Sequence, residues 1–380
     1  MTEPITRVKS VDLLRGLVMI FMALDHTRDF FSKLRFPPED LARSTPFLFF
    51  TRWITHFCAP SFFLLAGIGA SLILDRGRSK KNLSWFLFTR GLWLIFLELT
   101  ILQWTWNFSY GPPLYLLVIW ALGLSMVVLS ALVFLPEKVI AAIALVTIFG
   151  HNALDGIQPA TFGSLAPLWN VLHVPGFPWP DFLIGYPLVP WFAVMALGFA
   201  LGRVYRWEAP ARRRFLIQIG VAAVIGFIVL RGFNLYGNPS PWTAQPTAAM
   251  TVAAFLNTLK YPPSLHYLLM TLGPALIALA MFEHVRGKFA DVIGVYGRVP
   301  FFYYILHLVV IHLLAYALAM YQGGEGAFLG LDISRYPDWY GVNLFGVYVA
   351  WVIVLALLYV PCKWFARMKA ERKDRWLSYL

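Results

Sequence analysis

Ten apolar stretches, each about as long as a helix needs to cross a lipid bilayer, dominate this chain. They fall at roughly 11–31, 50–74, 84–107, 114–135, 137–155, 182–203, 213–234, 265–285, 297–321 and 341–362. Of the 380 residues 59% are hydrophobic and only 13% are charged, against about 25% charged in a soluble domain. No single water-soluble core can hide that much apolar surface, so the solvent must be lipid. The 15 tryptophans suit belts at the two membrane interfaces. The expected fold is an all-α integral membrane protein, one polytopic domain over residues 1–380 with about ten transmembrane helices.

Loop charge sets the orientation. With the N-terminus in the cytoplasm, the inner segments hold Arg7, Lys9, Arg76, Arg78, Lys80, Lys81, Lys138, Arg203, Arg206, Arg212 to Arg214, Arg286, Lys288 and Arg298. The C-terminal tail adds Lys363, Arg367, Lys369, Arg372, Lys373 and Arg375. That is about 21 inner cations against about seven outside (Lys33, Arg35, Arg43, Arg52, Arg231, Lys260 and Arg335). Losing one span would scramble this bias, so both termini are expected in the cytoplasm. The net charge of +12 therefore reflects topology. It does not mark a nucleic-acid partner, because no separate basic domain exists. Cys58 and Cys362, the two cysteines, fall near opposite faces and are not expected to bridge. The first apolar stretch runs into Asp25, His26, Arg28 and Asp29 with no small-residue cleavage site, and reads as a retained helix. Two outer loops are long: 152–181, rich in Pro, Trp and Gly, and 234–264, with a helical subsegment near 247–259.

The first helix carries the densest chemistry. Arg15 and His26 are eleven residues apart, about three turns and about 16 Å along one face. That face runs Asp12, Arg15, Met19, Met22, His26, Asp29. Ionisable groups in a membrane helix are costly and usually face a cavity. Asp29, at i+3, is positioned to orient His26 and raise its basicity, as a general base requires. Asp25 adds a second flanking carboxylate. The second helix brings Arg52 and then H-F-C-A-P, which places His56 at a depth similar to His26. Pro60 there is expected to kink the helix and free a carbonyl. Cys58 reads as packing. Arg90 and Glu98 are buried charges that do not reach each other at i, i+8. Of the eight histidines, all except His284 map to the outer half. His307 and His312 at i, i+5 do not share a face, and no metal site is expected. Phosphate-loop, dinucleotide, zincin and α/β-hydrolase motifs are absent from the sequence.

The segment SVDLLRGL from Ser10, followed by Asp25 and His26, resembles the opening of the heparan-α-glucosaminide N-acetyltransferase family and its bacterial relatives. The Arg15–His26 spacing is also the R-x10-H of type 3 membrane acyltransferases. Three more stretches are similar to the bacterial group: YPLVPWFAVMALGFALGR from Tyr186, KYPPS from Lys260, and YGRVPFFYYILH from Tyr296 to His307. The resemblance implies transfer of an acyl group from cytosolic acetyl-CoA or another acyl-CoA to a sugar or glycan beyond the membrane. It carries a catalytic role onto His26, and substrate-binding roles onto Arg15, Trp191, Lys260, Tyr261 and His307. The chain departs from the animal family in two ways. It has no histidine between His26 and His56, and HFCAP stands where that family has D-x-x-F-P. His26 or His56 is left as the base, with Asp25 and Arg52 beside the acceptor.

The leading expectation is thus a multi-pass acyltransferase of a bacterial plasma membrane. Membrane lipid, acyl-CoA and an extracytoplasmic sugar are its partners, and a homodimer is an allowed assembly. Two rivals follow from the same residues. One is a proton-coupled transporter with Asp25, His26, Asp29 and His56 as a relay. The other is a glycan flippase or scaffold without chemistry. A channel joining the basic inner face to His26 would favour acyl transfer.

Overall fold

The computed structural model describes residues 8–324, 328–372, 374 and 377. Arg7, Lys373 and Arg375, counted above among the inner cations, lie outside the described residues. In chain order the helices are α1 (Lys9–Phe31), α2 (Pro46–Trp53), α3 (Cys58–Asp75), α4 (Lys80–Leu97), α5 (Gln103–Asn107), α6 (Val118–Leu132), α7 (Glu137–Gly150) and α8 (Ala166–Leu172). They continue with α9 (Trp191–Leu201), α10 (Ala209–Gly232), α11 (Ala248–Leu256), α12 (Leu265–Met281), α13 (Lys288–Arg298), α14 (Pro300–Tyr321) and α15 (Leu344–Glu371). Each of the ten expected segments contains a helix.

Six continuous helical stretches among the described residues are long and apolar enough to cross a membrane: Pro46–Asp75, Lys80–Asn107, Glu137–Leu154, Ala209–Gly232, Pro300–Tyr321 and Leu344–Glu371. Two more, α6 and α12, are apolar but shorter. The remaining two segments differ from a plain span for local reasons. α1 holds the charged strip. Segment 182–203 yields only the 11-residue α9, because Pro187 and Pro190 keep the preceding backbone out of the helical region.

Those prolines leave room for a feature the all-α expectation lacked. β1 (Leu114–Leu116), β2 (Gly176–Trp179) and β3 (Phe182–Ile184) form a small sheet in the order β1-β3-β2. β1 and β3 run parallel, with Leu114 opposite Phe182 and Leu116 opposite Ile184. The outer ends of segments 114–135 and 182–203 are therefore strands. Segment 297–321 also divides: Val299 leaves the helical region at φ −132° and α14 starts at Pro300, a favoured first position. The amphipathic α13 ahead of it is a separate helix against α1.

Reciprocal glycines set the main helix pairs. A methyl group on Gly16 of α1 would overlap the Ile293 carbonyl, and one on Gly297 of α13 would overlap that of Asp12. The same exchange joins Gly67 of α3 to Gly198 of α9, and Gly91 of α4 to Gly123 of α6. In α10 and α12, a methyl on Gly220 or Gly273 would lie 2.8 or 2.9 Å from the other's carbonyl oxygen. In lipid, where apolar burial does not drive helices together, such close backbone contact supplies the dispersion that does. Ion pairs tie the loops on the side assigned to the cytoplasm: Arg206 to Asp75, Arg203 to Glu137, and Arg212 to Glu283 at 2.6 Å. Cys58 and Cys362 are both free and buried.

The carbonyl that Pro60 frees finds a partner on another helix. Proline lacks the N–H that the His56 carbonyl would receive in a regular helix. A 3-10 turn (Ile54–Phe57) precedes α3, and the Tyr267 hydroxyl donates to that carbonyl at 2.7 Å. A buried acceptor is thus satisfied by a second helix.

Candidate active site

Two cavities lie on one axis along α1. The first, about 630 Å³, is lined by Asp12, Arg15 and Met19 of α1 together with Arg76, Arg78, Arg90, Arg298 and Lys369. The second, about 660 Å³, is lined by Met22, Asp25, His26, Arg28 and Asp29 of the same helix, by Glu39 and Arg52, and by Lys260 and Tyr261. The strip read from the sequence therefore passes from one cavity to the other. The two cavities share three wall residues, Phe62, Val118 and Tyr304, and the Tyr304 ring lies 6.3 Å from that of His26. Both volumes suit small-molecule sites.

His26 is held by another histidine. Its Nδ1 lies 2.7 Å from Nε2 of His307 on α14, and the rings stack with centroids 4.9 Å apart. The Nδ1 of His307 is 3.0 Å from the Tyr303 carbonyl oxygen. A carbonyl only accepts, so His307 carries a proton on Nδ1, and as a neutral imidazole it presents a lone pair at Nε2. His26 must then donate from Nδ1, which leaves its own Nε2 unprotonated. The chain Tyr303 carbonyl–His307–His26 sets the tautomer of the imidazole at the cavity wall. Trp106 meets the His26 ring edge-on at 4.7 Å, and Tyr304 does so at 6.3 Å.

Asp29 does not take the orienting role expected of it. Its carboxylate binds Arg28 at 2.5 Å. A residue at i+3 can reach its helical neighbour, but an adjacent guanidinium is a stronger partner for a carboxylate than a neutral imidazole. Arg28 also pairs with Asp25 at 2.9 Å, Asp25 with Arg52 at 2.6 Å, and Arg52 with Glu39 at 2.7 Å. Glu39 sits in the loop after α1, where burial opposes its charge. Arg52 and then His56 outweigh that and hold its carboxyl well below the usual carboxylate range.

His56 is buried behind this network, 3.6 Å from Glu39, and is not part of either cavity wall. Similar depth along two helices did not bring it beside His26, because the 3-10 turn rotates its ring toward Tyr267, 5.4 Å away. Trp191 is likewise displaced. It is fully buried, stacked on Phe63 at 4.6 Å, with Tyr186 between it and the outer cavity. Arg15 binds the Gly297 carbonyl at 3.1 Å while lining the inner cavity. Glu98 is buried, and one of its oxygens accepts from the Leu117 N–H at 2.8 Å at the start of α6. His312 packs on Phe108 at 3.8 Å, away from the cavities.

Sequence reasoning missed Tyr304, Trp106, Glu39 and the partnership of His307. Tyr304 had a signal: it stands three residues before His307, on the same helical face. Nothing in the sequence places Trp106 beside His26.

The fold and the two cavities define a multi-pass membrane protein with a basic chamber and a charge-balanced chamber that share part of one wall. The model for the catalytic domain of heparan-alpha-glucosaminide N-acetyltransferase matches residues 7–237, more than half of the chain, and the chain belongs to that family. Membership assigns it to the transmembrane acetyltransferases. No curated protein matches it significantly. The matched part ends before Lys260, Arg298, Tyr304 and His307, yet all four line or support the site.

Proposed function

We propose that the protein transfers an acetyl or other short acyl group from cytosolic acyl-CoA to an extracytoplasmic sugar or glycan, in a bacterial plasma membrane crossed about ten times with both termini inside. The observation that carries this reading is a basic cavity and a second cavity that share Phe62, Val118 and Tyr304 in their walls, with His26 in the wall of the second. The basic cavity lies among residues whose loops the charge bias assigns to the cytoplasm, where acyl-CoA is made. Its guanidinium groups suit the phosphates of CoA.

His26 Nε2 takes the proton from the acceptor hydroxyl or amine as that atom attacks the thioester carbonyl. The tetrahedral adduct then collapses: the C–S bond breaks, the new ester or amide remains, and the CoA thiolate recovers the proton from His26. His307 passes no proton in this scheme. It holds the tautomer and stabilises the imidazolium that forms. The Tyr304 hydroxyl, on the shared wall and hydrogen-bonded by the Trp106 side chain, is the donor offered to a developing oxyanion. The rival proton relay has less support, because Asp25, Asp29 and Glu39 are each engaged by a guanidinium.

Protein in liposomes, given acetyl-CoA on the His26-distal side and a panel of amino sugars and glycans on the other, tests this. We expect labelled acetyl transfer, lost by about 10³-fold or more in His26→Ala with acetyl-CoA affinity unchanged. Normal transfer by His26→Ala overturns the site. Failure to bind any acyl-CoA, with solute uptake driven by a pH gradient, overturns the function.

A further inference from the structure

Away from this site, His151 and the loop 152–181 that follows it gather three metal-ligating side chains that the proposed reaction does not use. His151 opens the 3-10 turn that ends the α7 segment, Asp155 follows that turn, and His173 closes α8. One donor atom from each lies within 4.8 Å of the other two. His151 and His173 are 3% and 1% exposed. Neither ring nitrogen of His151, nor Nδ1 of His173, meets a hydrogen-bond partner among the described residues. A buried imidazole with no partner on either nitrogen, set beside a second buried imidazole and a carboxylate, is expensive unless something electron-poor binds there.

We propose that His151, Asp155 and His173 form a site for a divalent transition metal, with Zn2+ as the matching ion. Two imidazoles and one carboxylate suit a borderline cation; Mg2+ and Ca2+ prefer all-oxygen shells. His173 Nε2 and Asp155 Oδ1 stand 3.1 Å apart, close to the edge of about 3.4 Å that tetrahedral zinc bonds of about 2.05 Å imply. The outer shell is also in place. Asn152 donates to the second Asp155 oxygen at 2.8 Å, and its own carbonyl oxygen accepts from the Leu265 N–H at 2.8 Å. Such partners orient a ligand and fix its lone pair.

The site is a clamp. It joins the end of α7 to the end of α8, and the last turn of α8 accepts hydrogen bonds from Leu188 and Val189 at 2.8 Å. Two residues before Leu188 is Tyr186, a wall of the outer cavity. A bound ion thus stiffens the loop that carries that wall.

Chelator-treated, tag-free protein is equilibrated with Zn2+, freed of excess metal, and assayed by elemental analysis and competition titration. We expect one zinc per chain, cobalt substitution giving the intense visible bands of a tetrahedral site, and no comparable binding of Mg2+ or Ca2+. Asp155→Asn, which keeps the shape of a half-exposed side chain, and His173→Gln should each weaken zinc binding by more than about tenfold. Asn152→Ala should weaken it by about 10-fold to 100-fold. Zinc should raise the melting temperature of wild type and not of Asp155→Asn. Wild-type protein that retains no zinc, or Asp155→Asn that is equally monodisperse and binds as tightly as wild type, overturns the proposal.

Discussion

The two cavities differ most in charge. Among the described residues, the inner wall carries Arg15, Arg76, Arg78, Arg90, Arg298 and Lys369 against one carboxylate, Asp12. The outer wall carries Arg28, Arg52 and Lys260 against Asp25, Asp29 and Glu39, three of each sign. One chain has thus built a strongly positive chamber and a balanced one on either side of a neutral histidine pair. A positive chamber attracts a polyanion and holds it by long-range field. A balanced one, with its guanidiniums already bound to carboxylates, offers ordered hydrogen-bonding groups to a neutral, polyhydroxylated acceptor. The difference maps onto the two reactants of the proposed transfer.

The sharpest way to break the comparison is to reverse the inner excess. Charge reversal at Arg76, Arg78 and Arg298 together should raise KM for acyl-CoA by about 100-fold and leave acceptor KM within about twofold. Equal loss for both reactants, measured by initial rates, would mean the chambers are not separate binding sites. At the junction, His307→Gln should lower kcat by about 10-fold to 100-fold with little change in either KM, less than the loss in His26→Ala. Its rate–pH profile should also move, since the imidazolium of His26 loses its neutral acceptor. An unmoved profile would reduce His307 to packing.

In the outer chamber, Glu39→Gln leaves Arg52 with one carboxylate instead of two. The Glu39 carboxyl is depressed in the folded state, so its contribution is fully present above the ordinary carboxylate range and is lost as pH falls through its folded value. The variant should melt about 2–4 °C below wild type at neutral pH. The two curves should converge as pH drops below about 4.5. Curves that stay parallel in acid would show that the pairing contributes nothing. The smallest expected effect is ionic. Raising salt from about 0.05 M to 0.5 M should increase KM for acyl-CoA a few-fold and leave that for the acceptor unmoved.

The sequence made the apolar helices, the α1 strip and the placing of His26 on it legible, because hydrophobic length and helical spacing are local properties. Arg15 and His26 could be placed on one face by arithmetic alone. The partner of His26 could not: His307 lies 281 residues away, and which helix faces α1 depends on how the glycine-bearing pairs dock. The expectation for Asp29 failed because a helical neighbour was weighed without the adjacent Arg28 as its competitor. His56 and Trp191 were placed by depth and by likeness, and neither fixes the rotation of a helix about its own axis. The metal-ligating trio was hidden for a third reason. Its members lie at 151, 155 and 173, at a turn and a helix end, where no periodicity aligns them.

The reciprocal glycines have a mechanical consequence. Where two backbones touch, neither helix can slide or roll past the other without a clash, so each of the pairs α1–α13, α3–α9, α4–α6 and α10–α12 moves as one strut. In the proposed transfer, admitting an acceptor and releasing CoA would fall to contacts between struts and not to contacts within one. Phe62 sits on the α3–α9 strut, Val118 on the α4–α6 strut and Tyr304 on α14, outside all four, so the wall that the two cavities share is assembled from three separately braced elements.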